Sequence, residues 1–239
     1  MKAFSLTDIG EKRQINQDYV FCSETAIGKL PKLFVVADGM GGHNAGDYAS
    51  RFCVEFFKQQ IEESNLELPV SSIEAALQET NASLKSIADE QAELEGMGTT
   101  FVVATILDKE MYVANIGDSR LYVISQEMKQ ITEDHSLVEA MVKTGELDRE
   151  QARVHPSKNV ITRALGTNEY LEPDFFEVSL EVGDVVLMCS DGLTNMLEDE
   201  AIERIIKEND NLESAAQTLV DCANKNGGKD NIAVIIIKV

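Results

Sequence analysis

The sequence predicts a protein of the α+β class in which most strands pair antiparallel. Short β-branched and aromatic runs follow one another between residues 99 and 125, separated by tight breaks, and such runs are typical of strands that pair locally. Helical patterns come in consecutive pairs, one before these runs and one near the C-terminus. Together the two observations favour helix pairs packed on a largely antiparallel sheet.

The first strong signal is the stretch LFVVADGMGGHNAG, residues 33–46. Its apolar start predicts a buried strand that stops at Asp38, and four glycines follow. A helix is predicted over 47–63, with these apolar residues on one face: Phe52, Cys53, Phe56, Phe57 and Ile61. A second helix is predicted to open at Ser71, where Ser71 and Glu74 match a capping box, and to continue through Leu94.

The remaining elements follow from shorter patterns. The runs TTFVVATIL, EMYVANIG and SRLYVIS predict an antiparallel meander, and a short helix is predicted near 137–143. Residues 185–188 predict another buried strand, two helices follow near 198–207 and 212–223, and the closing run NIAVIIIKV predicts a central strand. Since no linker, repeat or low-complexity tract divides the chain, we predict a single domain over residues 1–239.

Composition restricts the partners and the location. The formal net charge is −21, from 42 Asp and Glu against 21 Lys and Arg, and such a surface repels nucleic acid and anionic lipid. The N-terminus has no apolar segment of signal-peptide length, and the longest uncharged apolar stretch, 97–107, is too short to cross a bilayer. With four widely spaced cysteines and no C-x-x-C pair, these features predict a cytoplasmic protein without nucleic-acid or membrane partners.

Five aspartates lie at the ends of predicted strands beside glycine or asparagine: Asp18, Asp38, Asp118, Asp191 and Asp230. Each alone also fits a turn, because Asp-Gly is frequent in hairpins. Together they favour a metal site, since we expect the strand ends to meet at one sheet edge, where clustered carboxylates repel one another unless divalent cations bind. All-oxygen ligation selects Mg²⁺ or Mn²⁺, and the three histidines lack a zinc spacing.

Nucleotide-binding interpretations of the glycine-rich turn fail on detail. A P-loop requires Lys after its last glycine, and Asp47 follows Gly46. A dinucleotide fingerprint requires a third glycine where Asn44 stands. An acidic residue at the mouth of the turn would also repel a pyrophosphate, so a cation is the more natural ligand.

Ordered motifs over residues 10–237 resemble the metal-dependent phosphatases of the protein phosphatase 2C family, in their compact bacterial form. The matching segments are GEKRQINQD, VVADGMGGHNAGDYAS, GMGTT, NIGDSRLY, DHS, TRALG, LMCSDGLTNML and GGKDNIAVIII. The resemblance implies a four-layer α-β-β-α sandwich of two antiparallel sheets flanked by helix pairs. It also implies a serine/threonine protein phosphatase with a centre of two Mn²⁺ or Mg²⁺ ions and a weaker third.

By position in these motifs, the resemblance implies the ligands. Asp38 would bridge two metals, the Gly39 carbonyl would bind one of them, and Asp191 with Asp230 would complete the other. Asp118, together with Asp191, would hold the third metal.

Arg13 matches the arginine that binds the substrate phosphate, so Asp38 and Arg13 are the implied catalytic residues. Asp18 and Asn231 are implied to support the ligands rather than to bind a metal. Two metals would lower the pKa of a bridging water, which would attack the phosphomonoester in line. A guanidinium donates two N–H groups to phosphate oxygens better than Lys does, although without the motif Arg13 fits a surface salt bridge.

Two positions depart from the family pattern. Gln17 stands where an acidic residue often holds a metal-bound water, and Met40 stands where animal relatives have a histidine assigned as general acid. His43 lies three residues further on and is interpreted as a loop or buried histidine.

Two other phosphatase mechanisms require motifs that this sequence lacks. No cysteine is followed by five residues and an arginine, and no D-x-D motif is present, which excludes phosphocysteine and aspartyl-phosphate mechanisms. The open alternatives are a non-catalytic phosphoprotein-binding domain and a developmental phosphatase of a more divergent branch.

Residues 136–170 match the family's mobile flap beside the site. Four of them could contact an acidic phosphopeptide, or lie in solvent: Arg149, Arg153, His155 and Lys158. The expected partners are phosphoserine and phosphothreonine proteins and a cognate Ser/Thr kinase, and we expect a monomer.

Overall fold

The computed structural model describes residues 1–42 and 45–239, and these residues form two stacked antiparallel sheets. The first sheet has the strand order β1-β11-β10-β7-β8, and the second has the order β2-β3-β5-β6-β9, with β4 beside β3. The strands are β1 (Lys2–Asp8), β2 (Asp18–Ser23), β3 (Leu33–Met40), β4 (Gly98–Thr99), β5 (Phe101–Leu107), β6 (Glu110–Ile116), β7 (Arg120–Ile124), β8 (Met128–Gln130), β9 (Asp174–Ser179), β10 (Val185–Cys189) and β11 (Ile232–Lys238).

Helices cover the outer faces of both sheets. The helix pair within residues 45–90 packs on the second sheet, and the pair within residues 199–225 packs on the first. An apolar core lies between each pair and its sheet. A third apolar core fills the space between the sheets, where alternate residues of the facing strands meet. The helices are α1 (Ala45–Glu63), α2 (Pro69–Glu90), α3 (Leu137–Lys143), α4 (Arg149–Val154), α5 (Asp191–Thr194), α6 (Asp199–Glu208) and α7 (Leu212–Lys225).

This architecture confirms the predicted α-β-β-α sandwich, its helix pairs and the central position of the last strand. β11 lies between β1 and β10, and its residues 232–237 are buried. None of the described helices is both long and apolar enough to span a bilayer.

The predicted meander is wrong in one respect. β5 and β6 pair, but β7 pairs with β8 and β10 in the other sheet, so the chain crosses between the sheets over residues 117–119. Local sequence predicts strands but not this crossing, because β10 lies some sixty residues further along the chain.

The predicted start of the second helix is also wrong. α2 begins at Pro69, where the missing N–H costs nothing, and no side-chain cap is formed at Leu68. The helix ends at Glu90, so Leu94 belongs to a short 3-10 turn, Ala92–Leu94. On α1, Val54 is buried with Cys53, whereas Phe52 and Phe56 are half-exposed and stack on each other.

Candidate metal centre

Asp38 lies two residues before the end of β3, and its backbone is held by the neighbouring strand. The prediction that the strand stops at Asp38 is wrong, because Gly39 and Met40 continue it by pairing with β4. Its N–H donates to Thr100 Oγ1 at 3.0 Å, and its carbonyl accepts from the Thr100 N–H at 2.9 Å and from Thr99 Oγ1 at 2.9 Å. On the other side Asp18 of β2 is the register partner of Asp38. The Asp38 side chain is therefore directed by strand geometry rather than by a flexible loop.

Asp191 and Asp230 come from the other sheet. Asp191 follows β10 as the first residue of α5, and Asp230 precedes β11. A Cβ on Gly192 would overlap the Asn231 carbonyl, so this glycine permits the close approach of the two segments. The expectation of a single sheet edge is therefore corrected, because the aspartates come from the same end of two stacked sheets.

Asp118 lies where the chain crosses between the sheets. Gly117 has φ +106°, and a Cβ on it would contact the Thr100 side chain at 2.6 Å, so the turn requires glycine. Ser119 Oγ lies 2.8 Å from Thr100 Oγ1, the same hydroxyl that accepts from the Asp38 N–H. One threonine thus connects the backbone of Asp38 with the turn that carries Asp118.

The charges of these aspartates interact strongly. Burial, with the charges of Asp18 and Asp191, raises the pKa of Asp38 well above its ordinary range. Burial and Asp191 do the same to the pKa of Asp118. Burial raises the pKa of Asp18 to about 7, and burial with the charge of Asp230 raises the pKa of Asp191 to about 6. The five carboxylates therefore form one electrostatic unit that a cation would stabilise.

Unpaired oxygens show that this donor set fits hard cations. Among the described residues, Asp18 Oδ1 and Asp191 Oδ1 are buried without a hydrogen-bond partner. No three Asp, Glu, His or Cys side chains in the described parts of the chain already lie around one point at ligand distances. Bound Mg²⁺ and Mn²⁺ retain several water ligands, so some carboxylates can hold the ion through a water instead of touching it. The aspartates of this centre therefore fit Mg²⁺ or Mn²⁺.

Arg13 forms an ion pair within the same centre. Its Nη2 donates to Asp230 Oδ2 at 2.7 Å, and this hydrogen bond raises the pKa of the guanidinium. Its side chain is half-exposed, so it also faces solvent at the mouth of the centre. The sequence left two roles open for Arg13, phosphate binding and a surface salt bridge. The structure shows a salt bridge, and its partner is Asp230, a predicted metal ligand.

Asn231 organises the loop that carries Arg13. Its Nδ2 donates to the carbonyls of Ile9 and Ile15 at 2.9 and 3.0 Å, and its Oδ1 accepts from the Gln17 N–H at 2.9 Å. Glu11 N–H adds a bond to the Gly228 carbonyl at 2.8 Å. Three hydrogen bonds of one buried side-chain amide are therefore used to fix one loop.

Asp18 is fixed by a residue that the sequence motifs did not single out. Ser190 Oγ donates to Asp18 Oδ2 at 2.6 Å and accepts from the Ala233 N–H at 2.9 Å. Thr100 and Ser190 both lie inside recognised motifs, but their roles depend on partners far along the chain, so spacing carried no signal for them.

The glycines after Asp38 pack the strand against the helix. A Cβ on Gly39 would overlap the Gly46 carbonyl, and a Cβ on Gly46 would contact the Gly39 carbonyl at 2.7 Å. Their first role is this close packing of β3 on α1, and the proposed ligand role of the Gly39 carbonyl is additional. His43 and Asn44 lie outside the described residues, whereas Met40 contacts the Gly98 region of β4.

A cavity of about 320 Å³ opens beside the aspartates, between residues 136–158 and α5–α6. Asp118 and Asp191 line its inner wall. Three basic residues of the outer wall are paired within the protein: Arg149 with Glu139 at 2.5 Å, Arg153 with Glu198 at 2.7 Å, and Lys158 with Asn195 Oδ1 at 2.7 Å. Arg153 and Lys158 thus connect the segment to the residues that follow β10, whereas Arg149 pairs within the segment and its side chain is 70% exposed.

Comparison with known proteins agrees with this geometry. A family profile described as protein phosphatase 2C matches residues 11–232. The chain belongs to the protein phosphatase 2C family. It is therefore a protein phosphatase, and the segments that match include every aspartate of the centre.

Relatives of this phosphatase match it over its whole length. Serine/threonine phosphatase stp of Listeria innocua is 40% identical over 243 residues, covering 100% of this chain and 96% of that protein. The crystal structure of serine/threonine phosphatase Stp1 from Staphylococcus aureus has a TM-score of 0.93 at 36% identity, covering 100% of this chain and 94% of that one. The catalytic domain of PstP, described in complex with two manganese ions, has a TM-score of 0.86 at 29% identity, covering 98% and 96%.

Proposed function

We propose that this serine/threonine phosphatase depends on Mn²⁺ or Mg²⁺, two ions per site with a weaker third. Asp38, the Gly39 carbonyl, Asp191 and Asp230 would hold the pair, and Asp118 with Asp191 would hold the third. The observation that carries the proposal is the meeting of buried aspartates from both sheets, with an Asp191 oxygen left unpaired. When bound, such ions lower the pKa of a water and neutralise the charge of a phosphate.

The chain's own residues would bind and orient the phosphomonoester. Arg13 is the candidate to donate to two phosphate oxygens, a charge-assisted pair that fixes direction as well as position. Arg13 pairs with Asp230 through Nη2 alone, so its other N–H groups remain available to donate to the phosphate. Asn231 would keep Arg13 in place through the loop that carries it. Asp18, which accepts from Ser190, would keep Asp38 in place on the neighbouring strand.

The physiological role follows from the substrate class. We propose that the protein removes phosphate from phosphoserine and phosphothreonine in proteins, and so reverses the action of a Ser/Thr kinase or other signalling phosphorylation. We further propose a cytoplasmic monomer in which residues 1–239 act as one catalytic domain and residues 136–170 act as a flap. Arg149, Arg153 and Lys158 line the cavity beside the centre, and this position supports the assignment of the segment as a flap.

Phosphate release from a phosphothreonine peptide, measured with Mn²⁺ and with EDTA, tests the function. We expect Mn²⁺-dependent turnover that EDTA abolishes. Asp38→Asn and Asp191→Asn should each lower kcat by at least about 100-fold, because each removes a charge that holds a cation. Asp89→Asn is the matched control, since Asp89 only pairs with Lys85 on the surface of α2.

The outcomes separate the competing functions. Mn²⁺ binding without turnover would favour the non-catalytic phosphoprotein-binding domain. Equal turnover in EDTA would overturn the metal-dependent mechanism. A fall in activity for Asp89→Asn as large as for Asp38→Asn would show that the assay reports general acidity rather than this centre.

A further inference from the structure

His135, of the DHS segment, has a set of contacts that the proposed chemistry does not use. It is buried, with 7% of its surface exposed. Its ring Nδ1 accepts from the Gly117 N–H at 3.1 Å, and its Nε2 lies 3.0 Å from Asp174 Oδ2. Arg163 Nη1 also lies 3.3 Å from Nε2. Since a backbone N–H can only donate, Nδ1 accepts and carries no proton, so Nε2 carries the proton and donates to Asp174, the nearer of its two neighbours.

Gly117 is held at both of its backbone polar groups. Its carbonyl accepts from the His135 N–H at 2.9 Å and from Asn115 Nδ2 at 3.3 Å, while its N–H donates to the His135 ring. The next residue is Asp118, which is 9% exposed. The direction of the Asp118 side chain therefore depends on the bonds that His135 makes to the preceding residue.

The same histidine lies at the root of segment 136–170. Its carbonyl accepts from the Thr162 N–H at 2.7 Å, and the Leu137 N–H donates to the Val160 carbonyl at 2.8 Å, so the outgoing and returning chains pair there. Arg163, on the returning chain, donates to Asp174 Oδ1 at 2.9 Å. Asp174 thus joins the imidazole and the returning chain through its two oxygens.

We propose that His135 is a positioning residue that couples the root of the flap to Asp118, so that cation binding at Asp118 and the order of the flap root depend on each other. The proposal rests on the proposed function, since it concerns how one of its ligands is directed. Coupling of this kind is reciprocal. The factor by which an ordered flap root strengthens cation binding equals the factor by which the bound cation stabilises the ordered flap root.

Two substitutions separate the two ring contacts. His135→Asn places an amide oxygen near the position of Nδ1, so it keeps the acceptor for Gly117 and loses the bond to Asp174. His135→Gln places an amide nitrogen near the position of Nε2, so it keeps the bond to Asp174 and loses the acceptor for Gly117. Lys143→Gln is the matched control, because Lys143 lies in the same segment but pairs only with Glu133 at its surface.

Calorimetric titration with Mn²⁺ gives the first readout. We expect His135→Gln to weaken the lower-affinity binding step by about 10–100-fold, the usual effect of removing a residue that orients a ligand. By reciprocity, His135→Asn should weaken the same step by the factor that it removes from the exchange readout below, whereas Lys143→Gln should leave the step within about threefold of the wild type. Asp118→Asn should abolish the step while the tighter binding is retained.

Hydrogen exchange of the Leu137 and Thr162 amides gives the second readout. In the wild type, saturating Mn²⁺ should slow their exchange, and Asp118→Asn should remove that effect. His135→Asn should also remove it, because the bond to Asp174 is lost. If His135→Asn does not fold, Asp174→Ala removes the same bond, together with the bond to Arg163, from a more exposed residue and should also remove the effect of Mn²⁺.

Failure of the coupling is distinguishable from failure of the proposed function. A wild type that binds Mn²⁺ and hydrolyses phosphopeptide, with His135→Gln unchanged in every binding step, would overturn the role of His135 and leave the phosphatase intact. Mn²⁺-independent exchange at the flap root of the wild type would overturn it equally. A wild type without any Mn²⁺-dependent turnover would count against the proposed function instead.

Discussion

The acidic centre and the adjoining segment 136–160 are held in place by different kinds of contact. Around Asp38 the contacts are backbone hydrogen bonds and buried hydroxyls of 2.6–3.0 Å, such as Thr100 and Ser190. Segment 136–160 contacts the rest of the protein mainly through side chains that are partly exposed, such as Arg153 with Glu198. The first kind places groups accurately, whereas the second contributes little to stability.

The difference indicates which parts can move. A buried polar group left unpaired costs about 1–3 kcal/mol, while an exposed ion pair contributes about 0–1 kcal/mol. The centre is therefore expected to resist displacement, and segment 136–160 is expected to shift at low cost when a protein substrate binds. Substitutions in the two regions should differ accordingly in stability and in activity.

Asn231→Ala should have the largest effect of the substitutions outside the carboxylates. It leaves two carbonyls and one N–H of the Arg13 loop without their partner, which predicts a loss of about 2–4 kcal/mol in the free energy of unfolding. We also expect kcat/KM to fall by up to about 100-fold, because the loop that carries Arg13 is released. Urea unfolding and phosphopeptide hydrolysis measure the two effects.

Asn231→Asp provides the sharper comparison. The carboxylate keeps the acceptor for the Gln17 N–H but has no donors for the carbonyls of Ile9 and Ile15. The fall in the free energy of unfolding of Asn231→Asp should approach that of Asn231→Ala. A near-wild-type result for either variant would show that the centre is less dependent on this loop than its geometry indicates.

Arg13→Ala should lower kcat/KM by about 10–100-fold, the magnitude of a lost charge-assisted hydrogen bond. Arg13→Lys should recover only part of this, because an ammonium cannot donate two parallel bonds to a phosphate. Steady-state kinetics at saturating Mn²⁺ separate the two variants. If Lys restored full activity, Arg13 would act through its charge alone.

The metal-free centre should be sensitive to pH. The pKa of Asp18 is raised to about 7 and that of Asp191 to about 6, and Asp38 and Asp118 are raised as well, in each case chiefly by burial. The unfolded chain releases these protons near pH 4, so the folded state binds more protons above that pH and its stability falls as the pH rises towards 7. The destabilisation is complete above the folded pKa values.

Thermal melts in EDTA measure this effect. We expect the melting temperature to drop by several degrees between about pH 5 and pH 8, at roughly 2–4 °C per kcal/mol for a chain of this size. Asp18→Asn should reduce the drop, and Mn²⁺ should remove most of it. A melting temperature that rose with pH over this interval would contradict the assignment of burial as the dominant cause.

The local parts of this arrangement could be predicted from sequence. Asp38 and Asp191 each follow an apolar run and precede a glycine, so the strand and the carboxylate are encoded within about ten residues. The end of β3 is not, because its last two residues pair with the distant β4. β11 is apolar from Ile232 to Ile237, which predicts a strand covered on both faces, and the structure confirms that these residues are buried.

The parts of the arrangement that depend on contacts between distant residues could not be predicted from sequence. The crossing at Asp118 depends on β7 pairing with β10, and the start of α2 at Pro69 depends on how the chain enters the helix layer. The role of His135 depends on Gly117, Thr162 and Asp174, which are distant in sequence. No spacing rule connects these residues, so only the folded arrangement shows them together.

The smallest effects are expected in segment 136–160. Arg153→Gln breaks an ion pair with Glu198 and one bond to the Leu197 carbonyl, and should change the free energy of unfolding by about 1 kcal/mol or less. A small substrate such as p-nitrophenyl phosphate reaches the centre without this segment, so its kcat/KM should change less than threefold. A phosphoprotein that touches the segment should show a larger change in KM, with kcat retained. Equal losses for both substrates would instead mean that Arg153 supports the centre itself, and that the two regions are not independent.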